Sequence, residues 1–508
     1  MKQHSGRPAL PGKVHEPPWV PVPPSEPAAD VAKLVEVLVV GAGVTGLTTA
    51  LLLARAGVDV GVVDARGLAA GTTGRSTAKV SVLQGTRLYE IGRRHPDRVV
   101  RAYTSAHEAA RRFVAETCAE LGVGYETRTA WTYATGSNGS TAVRAEAQAL
   151  AAAGLPAELT SEAGLPYEVW LAVRLSGQGQ IDPRAYTTAL ANAVQAAGGW
   201  IRFPARVRAA TARPPHRVTV SGANGNNLEV RSRWLVLATG TPILDRGLFF
   251  ARLRPQRSYG IAVTVQGSPP TGMYLAADSP TRSLRTGTQP RQVLVGGAGH
   301  DVGHGPPENE HYSELDRWAR RHFDIEETTH AWSAQDYSSP DGLPYVGALL
   351  PTDSTTLVAT GFGKWGITGG TAAAQALAAL VLGTGEPPLR WEPWRSRVLA
   401  GASDVVRLNA GVGASLATGW ASAALSTPNQ RPKEGQGSVG RHGRHLVAIS
   451  QVDGAVREVS AICTHLRGIV RWNGAEKSWD CPLHGSRFGP DGRVLEGPAT
   501  CGLGMAGQ

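Results

Sequence analysis

Two short arms near the end of the chain, Cys463-Thr464-His465 and Cys481-Pro482-Leu483-His484, hold two cysteines and two histidines as C-x-H and C-x-x-H with fifteen residues between them. Thiolates and imidazoles together suit zinc or an iron–sulfur cluster with mixed ligands. Zinc sites of this size pair cysteine with cysteine and histidine with histidine. Here each arm carries one of each, so two cysteines can bind one iron and two histidines the other. Both arms run into short loops, from Leu466 and at Gly485-Ser486, whose backbone N–H groups can face sulfides. Cys118 and Cys501 have no such neighbours and read as structural or incidental. Four cysteines in 508 residues make no disulfide framework, which points to a reducing compartment.

A second site lies at the other end. Gly41-Ala42-Gly43-Val44-Thr45-Gly46 follows an apolar run and opens a helical pattern, and Asp64 stands 23 residues after Gly41. Gly41 permits the tight turn, Gly43 lets the backbone approach a pyrophosphate, and Gly46 allows close packing of helix on strand. The helix amino terminus faces the phosphates and Asp64 can accept from both ribose hydroxyls. Downstream, Gly71-Thr72-Thr73-Gly74-Arg75-Ser76-Thr77-Ala78-Lys79 is rich in backbone and hydroxyl donors.

With that second loop the sequence resembles the D-amino-acid-oxidase/glycine-oxidase superfamily of FAD enzymes. The resemblance implies that Gly74, Arg75, Ser76 and Thr77 run along the pyrophosphate toward the flavin ring. It also implies that Ala238-Thr239-Gly240 is a second FAD contact and that Val207 lies against the adenine. Pro340-Asp341-Gly342-Leu343-Pro344-Tyr345-Val346-Gly347 matches the family's D-G-x-P-x-x-G segment. Gly361-Phe362-Gly363-Lys364-Trp365-Gly366-Ile367-Thr368-Gly369-Gly370 matches the turn into its last helix. The likeness spans residues 34–390 with its motifs in family order. In such an enzyme the amides from Gly363 through Gly366, Ile367 and Thr368, together with Lys364, would meet the part of the flavin that gains negative charge on reduction. Residues 461–499, with Trp479, Pro482, Gly485-Ser486 and Phe488, look like a Rieske [2Fe–2S] domain ligated by Cys463, His465, Cys481 and His484. Quinol-oxidising Rieske proteins add a disulfide between the two loops. The matching positions here are Arg467 or Gly468 and Leu483, so that bridge is absent. Phe488 stands where a tuning tyrosine is common, and fewer hydrogen bonds favour a lower potential.

The combination resembles bacterial FAD-dependent oxidoreductases with a carboxy-terminal Rieske domain. It implies FAD and a Rieske [2Fe–2S] cluster as cofactors, a small amine or amino acid as substrate, and an external electron acceptor or donor. Flavin converts between electron pairs and single electrons, and a cluster takes one at a time. Relatives that oxidise amino acids place an arginine for the carboxylate before the D-G-x-P segment. Here that stretch reads Trp332-Ser333-Ala334-Gln335-Asp336-Tyr337. Arg285, or Arg257 beside Tyr259, is expected to take over, while Asp336 could attract a cationic amine. Lys364, Trp365, Arg285 and Tyr259 are therefore the candidate catalytic residues. One rival is a Rieske oxygenase with mononuclear iron at His300-Asp301-Val302-Gly303-His304, read as a Gly-rich loop that supplies no acid in register. Another is an electron carrier without a substrate.

The elements that must position these groups follow from hydrophobic patterning. Val35–Val40 is a doubly buried strand, 44–57 a helix, and Val58–Val63 a second strand ending at Asp64. Trp234–Leu237 and Thr356–Ala359 read as two further buried strands. The expected fold is an α/β FAD-binding (Rossmann-like) domain from about 34–95, 170–250 and 330–395, with an α+β substrate domain from about 96–169 and 251–329. A helical segment and linker over 396–435 leads to a small all-β Rieske domain at 436–508, and Ser426–Gly435 reads as a flexible tether allowing docking and undocking. Residues 1–33, with eight prolines, read as an extended mobile tail pinned where Trp19 packs. The chain is 42% hydrophobic and 18% charged, with mean hydropathy −0.16, which is globular. Net charge is +10, but only 7 of the 51 basic residues are lysine and the arginines form no arm or stripe, so nucleic acid is not an expected partner. No long apolar run or secretory h-region appears, so no membrane span is expected and the location reads as cytoplasmic.

Overall fold

The computed structural model describes residues 16–22, 34–222, 225–395 and 402–505. Most of the proline-rich tail therefore lies outside the described residues. At its centre the strand Leu34–Val40 runs parallel to Asn227–Leu237 on one side and Val60–Val63 on the other. Asp353–Thr360 and Trp200–Arg202 extend this parallel set, and Tyr345–Leu350 closes one edge antiparallel. Val37 and Val39 point into one core cluster, Leu38 and Val40 into another, which is why the strand reads as an unbroken apolar run. Helices Val44–Arg55 and Gly366–Leu382 pack on the first of these faces. Their approach is close, because a Cβ on Gly370 would stand 2.4 Å from the Thr45 hydroxyl.

A second, nine-stranded sheet forms the other layer. It is antiparallel except where Met273–Ala276 runs parallel to Tyr125–Ala134. Lys79–Val80 is an edge strand of this sheet. His300 and Asp301 end the strand Gln292–Asp301 instead of lying in a loop. Trp19 is buried against Ala262, Leu294 and Trp332, and its indole N–H donates to Ser76 O at 3.1 Å.

The carboxy-terminal module consists of a three-stranded sheet (Gly437–His442, His445–Val452, Ala455–Ser460) and a four-stranded one (Arg471–Asn473, Ser478–Asp480, Arg487–Phe488, Val494–Glu496). Helix Ala402–Leu425 lies along it, with Trp420 donating to Arg467 O at 3.0 Å. The stretch read as a tether is held down. Asn429 N donates to Ser438 Oγ at 2.8 Å, and the Glu434 carboxylate accepts from Asp453 N and Gly454 N at 2.8 and 3.1 Å. Polar side chains that suggested flexibility by composition here make local turns.

A buried ion cluster joins this module to the nine-stranded sheet. Arg257, on strand Arg254–Val265 and 1% exposed, lies 3.2 Å from Glu476 Oε2 and 3.4 Å from Asp480 Oδ2. Arg487 meets the same two carboxylates, at 3.1 Å from Asp480 Oδ1. Burial pushes Glu476 and Asp480 up, but the Arg487 and Arg257 guanidinium groups together hold Asp480 below its ordinary value and Glu476 well below the ordinary carboxylate range. Arg257 was expected to meet substrate, and the structure instead commits it to this interface. Removing one ion from a buried set leaves its partners uncompensated, at a cost of about 3–5 kcal/mol. Arg257→Met is therefore expected to lower unfolding stability by roughly that amount, read by denaturant titration, and to expose the junction to protease. Because the folded carboxylate pKa values are depressed, their stabilisation is present above the unfolded value of about 4 and fades only below it. Docking, followed by small-angle scattering, is expected to be unchanged between pH 7 and pH 5.

Candidate active site and cluster centre

A cavity of about 630 Å³ lies between the two large sheets. At one end its wall is Gly41, Gly43, Val44 and Thr45 from the first turn, with Asp64, Val207, Ala238, Thr239 and Gly240. Gly41 has φ +115°, and a Cβ there would stand 2.3 Å from Ala238 O, so only glycine fits. The Asp64 carboxylate accepts from Ala42 N (2.9 Å), Arg66 N (2.8 Å) and Gly67 N (3.0 Å). Three backbone donors thus orient it, two on Oδ1 and one on Oδ2, and Oδ2 keeps a lone pair for a hydroxyl. Arg75, Ser76 and Thr77 line the middle of the cavity.

Gly46, Gly74, Gly363 and Thr368 stand behind this wall. Cβ atoms on Gly46 and Gly74 would strike Gly41 O and Ala69 O at 1.9 and 2.2 Å, Gly363 O accepts from Arg87 at 2.7 Å, and Thr368 Oγ1 accepts from Ser81 N at 3.1 Å. Their part is to shape the backbone.

At the other end Lys364, Trp365, Gly366 and Ile367 face the cavity together with Tyr259, His311 and Trp332. Lys364 takes a left-handed φ of +75°, and its N–H donates to the Asp336 carboxylate. Burial lowers the Lys364 ammonium pKa, with Asp336 opposing. Helix Gly366–Leu382 begins here with no side-chain cap, so its first amides are available to an anionic group. The Tyr259 hydroxyl is 3.0 Å from His300 Nε2, and the His300 ring stacks on His311 at 4.4 Å. His300 is therefore engaged away from the pairing with His304 that mononuclear iron would need. Arg285 is corrected as a substrate contact. It is buried behind the wall, donating to Thr286 O, Thr77 O, Ala78 O and Ile181 O at 2.6–3.3 Å, and it fixes the loop instead.

The four cluster residues converge in the carboxy-terminal module. Cys463 and Cys481 are buried free thiols, and contact with Cys481 pulls the Cys463 thiol down against its own burial. The His465 and His484 rings lie 5.2 Å apart at 90°. His484 Nδ1 is buried without a partner, as a metal-donor nitrogen would be, while His465 Nε2 lies 3.1 Å from Asp245 Oδ1. The loops close through Cys463 N to Gly468 O and Cys481 N to Ser486 O, both 2.8 Å. A Cβ on Gly468 would stand 2.6 Å from Leu483 Cδ1, so Gly468 and Leu483 are the pair that a loop-to-loop disulfide would join.

The two sites share a wall that sequence reasoning missed. Leu495, Glu496, Gly497 and Thr500 of the carboxy-terminal module line the same cavity, and Arg206 donates to Val494 O at 2.9 Å. Gln335, also on the cavity wall, donates to Gly485 O at 2.8 Å, one residue beyond His484. Phe250 packs edge-on to both His465 and His484, at 5.1 and 5.2 Å.

The family model described as FAD dependent oxidoreductase matches residues 36–380, and that for the Rieske [2Fe-2S] domain matches residues 424–504. The chain is a FAD dependent oxidoreductase of this family with a Rieske domain at its end. Its cofactors are FAD and the [2Fe–2S] cluster. The Bacillus subtilis protein YhfW, named for a Rieske 2Fe-2S iron-sulfur centre, is 31% identical over 488 residues, covering 94% of each chain. The chloroplastic cytochrome b6-f iron-sulfur subunit of Arabidopsis thaliana is 42% identical over 62 residues, 12% of this chain and 27% of that one. Among solved structures, L-proline dehydrogenase from P. horikoshii and glycine oxidase from Geobacillus kaustophilus each superpose with TM-score 0.60 at 16% identity, covering 72% of this chain and 99% of theirs. Among the described residues no helix is long and apolar enough to cross a membrane.

In this oxidoreductase Cys463→Ser is expected to abolish the electron-paramagnetic signal of the reduced cluster while FAD content is kept. Asp64→Ala removes charge-assisted hydrogen bonds of about 1.5–3 kcal/mol, so FAD affinity is expected to fall about ten- to a hundredfold, read by flavin fluorescence on dilution.

Proposed function

We propose that the oxidoreductase oxidises the C–N or adjacent C–H bond of a small amine or amino acid and that the electrons pass singly to the Rieske cluster and on to an external acceptor. The observation that carries this reading is the shared wall: residues 495–500 bound the flavin cavity, and Gln335 bridges from that cavity to the backbone beside the cluster ligand His484. Solved neighbours of this fold are an L-proline dehydrogenase and a glycine oxidase, both named for amino-acid oxidation. FAD supplies acceptance of an electron pair and its release one electron at a time, and the cluster supplies a single-electron site.

The chain's own residues do the rest. Tyr259, fixed by His300, offers its hydroxyl to the substrate nitrogen and orients it. Lys364 and the free amides of Gly366 and Ile367 hold negative charge at the helix start. Trp365 and Trp332 wall the cavity and keep water out. Arg285 acts at one remove, clamping the Thr77–Ala78 carbonyls.

Anaerobic titration of the holoenzyme with a panel of amines and amino acids tests the reading. Flavin and cluster absorption are expected to bleach together with the same substrate. A flavin that bleaches while the cluster stays oxidised would remove the intramolecular transfer, and bleaching by no amine would remove the substrate class.

A further inference from the structure

Lys79 sits on the edge strand Lys79–Val80 and lines the cavity. Its ammonium donates to Tyr274 O at 3.0 Å and to the Ser283 hydroxyl, which engages two of its three N–H groups. The side chain is 8% exposed and lies on the cavity wall beside Leu275 and Trp332. Among the described residues no carboxylate lies within ion-pairing distance of it. Glu314 and Asp336, the carboxylates lining this half of the cavity, are engaged by Arg282 and by the Lys364 N–H. The charge acting on it is instead a second cation, Arg285, itself held to backbone carbonyls through Nε and Nη1. Burial, and then Arg285, lower the Lys79 ammonium to about 7. A buried cation with one free donor, an apolar surround and no counter-ion calls for an anionic ligand.

We propose that Lys79 is the carboxylate anchor of the catalytic cavity, so that the substrate is an amino acid or another amine bearing a carboxylate. The proposal rests on the amine-oxidation reading above and narrows it. Lys79 replaces the arginine that is missing from Trp332–Tyr337, and it approaches from a different strand of the same sheet.

Benzoate, a carboxylate that cannot be oxidised at a C–N bond, is the probe, with benzamide as its neutral isostere. Each is titrated into the oxidised holoenzyme and binding is read as perturbation of the flavin spectrum. The wild type is expected to bind benzoate in preference to benzamide. Lys79→Met is expected to weaken benzoate about tenfold or more while leaving FAD content and benzamide binding unchanged. Lys79→Arg is expected to restore benzoate binding and serves if the methionine variant does not fold. Absence of any benzoate perturbation in the wild type overturns the proposal. So does unchanged benzoate affinity in Lys79→Met, or a shifted flavin potential with benzoate binding intact, which would assign Lys79 to the flavin. Because benzoate needs no turnover, failure of the anchor and failure of amine oxidation give separate results.

Discussion

The arrangement of this molecule depends on a few ions removed from water at one junction. Arg257 from the large sheet and Arg487 from the cluster module share Glu476 and Asp480, and neither arginine could remain buried without those carboxylates. Ser333 also donates to Glu476, and Gln335 accepts from Arg257 at 3.1 Å, so the strand that carries the cavity wall is tied into the same cluster. An ion set of this kind is directional, unlike an apolar contact, and holds one orientation of the module.

That orientation brings the cavity wall against the backbone beside the Cys/His arms. The stretch read as a tether is bound to its own domain through Ser438 and Glu434, and the cluster-binding loop beginning at Gly485 receives a hydrogen bond from the flavin cavity's wall. The electron exchange proposed above would, in such a frame, run through packed protein between the cavity wall and the backbone beside His484. His465 makes the matching contact on the outer side, with its Nε2 toward Asp245 of the flavin-binding part.

Much of this was legible in sequence where chemistry is local. The Gly41–Gly46 turn, Asp64 and the two Cys/His arms each lie within a few residues of the elements that present them, so spacing alone reveals them. Reading failed where a side chain's partners lie far along the chain. Arg257 and Arg285 looked like carboxylate binders by type, yet one finds Glu476 and Asp480 more than two hundred residues away and the other finds the carbonyls of Thr77 and Ile181. His300 beside His304 suggested a metal pair, but strand geometry turns it to Tyr259 and His311. Lys79 gave the opposite error. It appeared as the last residue of a phosphate loop, and only the folded sheet reveals Tyr274 and Ser283 around its ammonium.

The closing wall at Leu495–Thr500 carries a consequence for how the protein is made. These residues leave the ribosome after every other part of the cavity, so the pocket has no complete boundary until this part of the carboxy-terminal module has been synthesised. Flavin retention thereby depends on the backbone of the carboxy-terminal module, whether or not its iron centre is filled. A premature stop around codon 490 would surface as loss of the yellow prosthetic group, although the glycine turn that cradles it was built some 450 residues earlier.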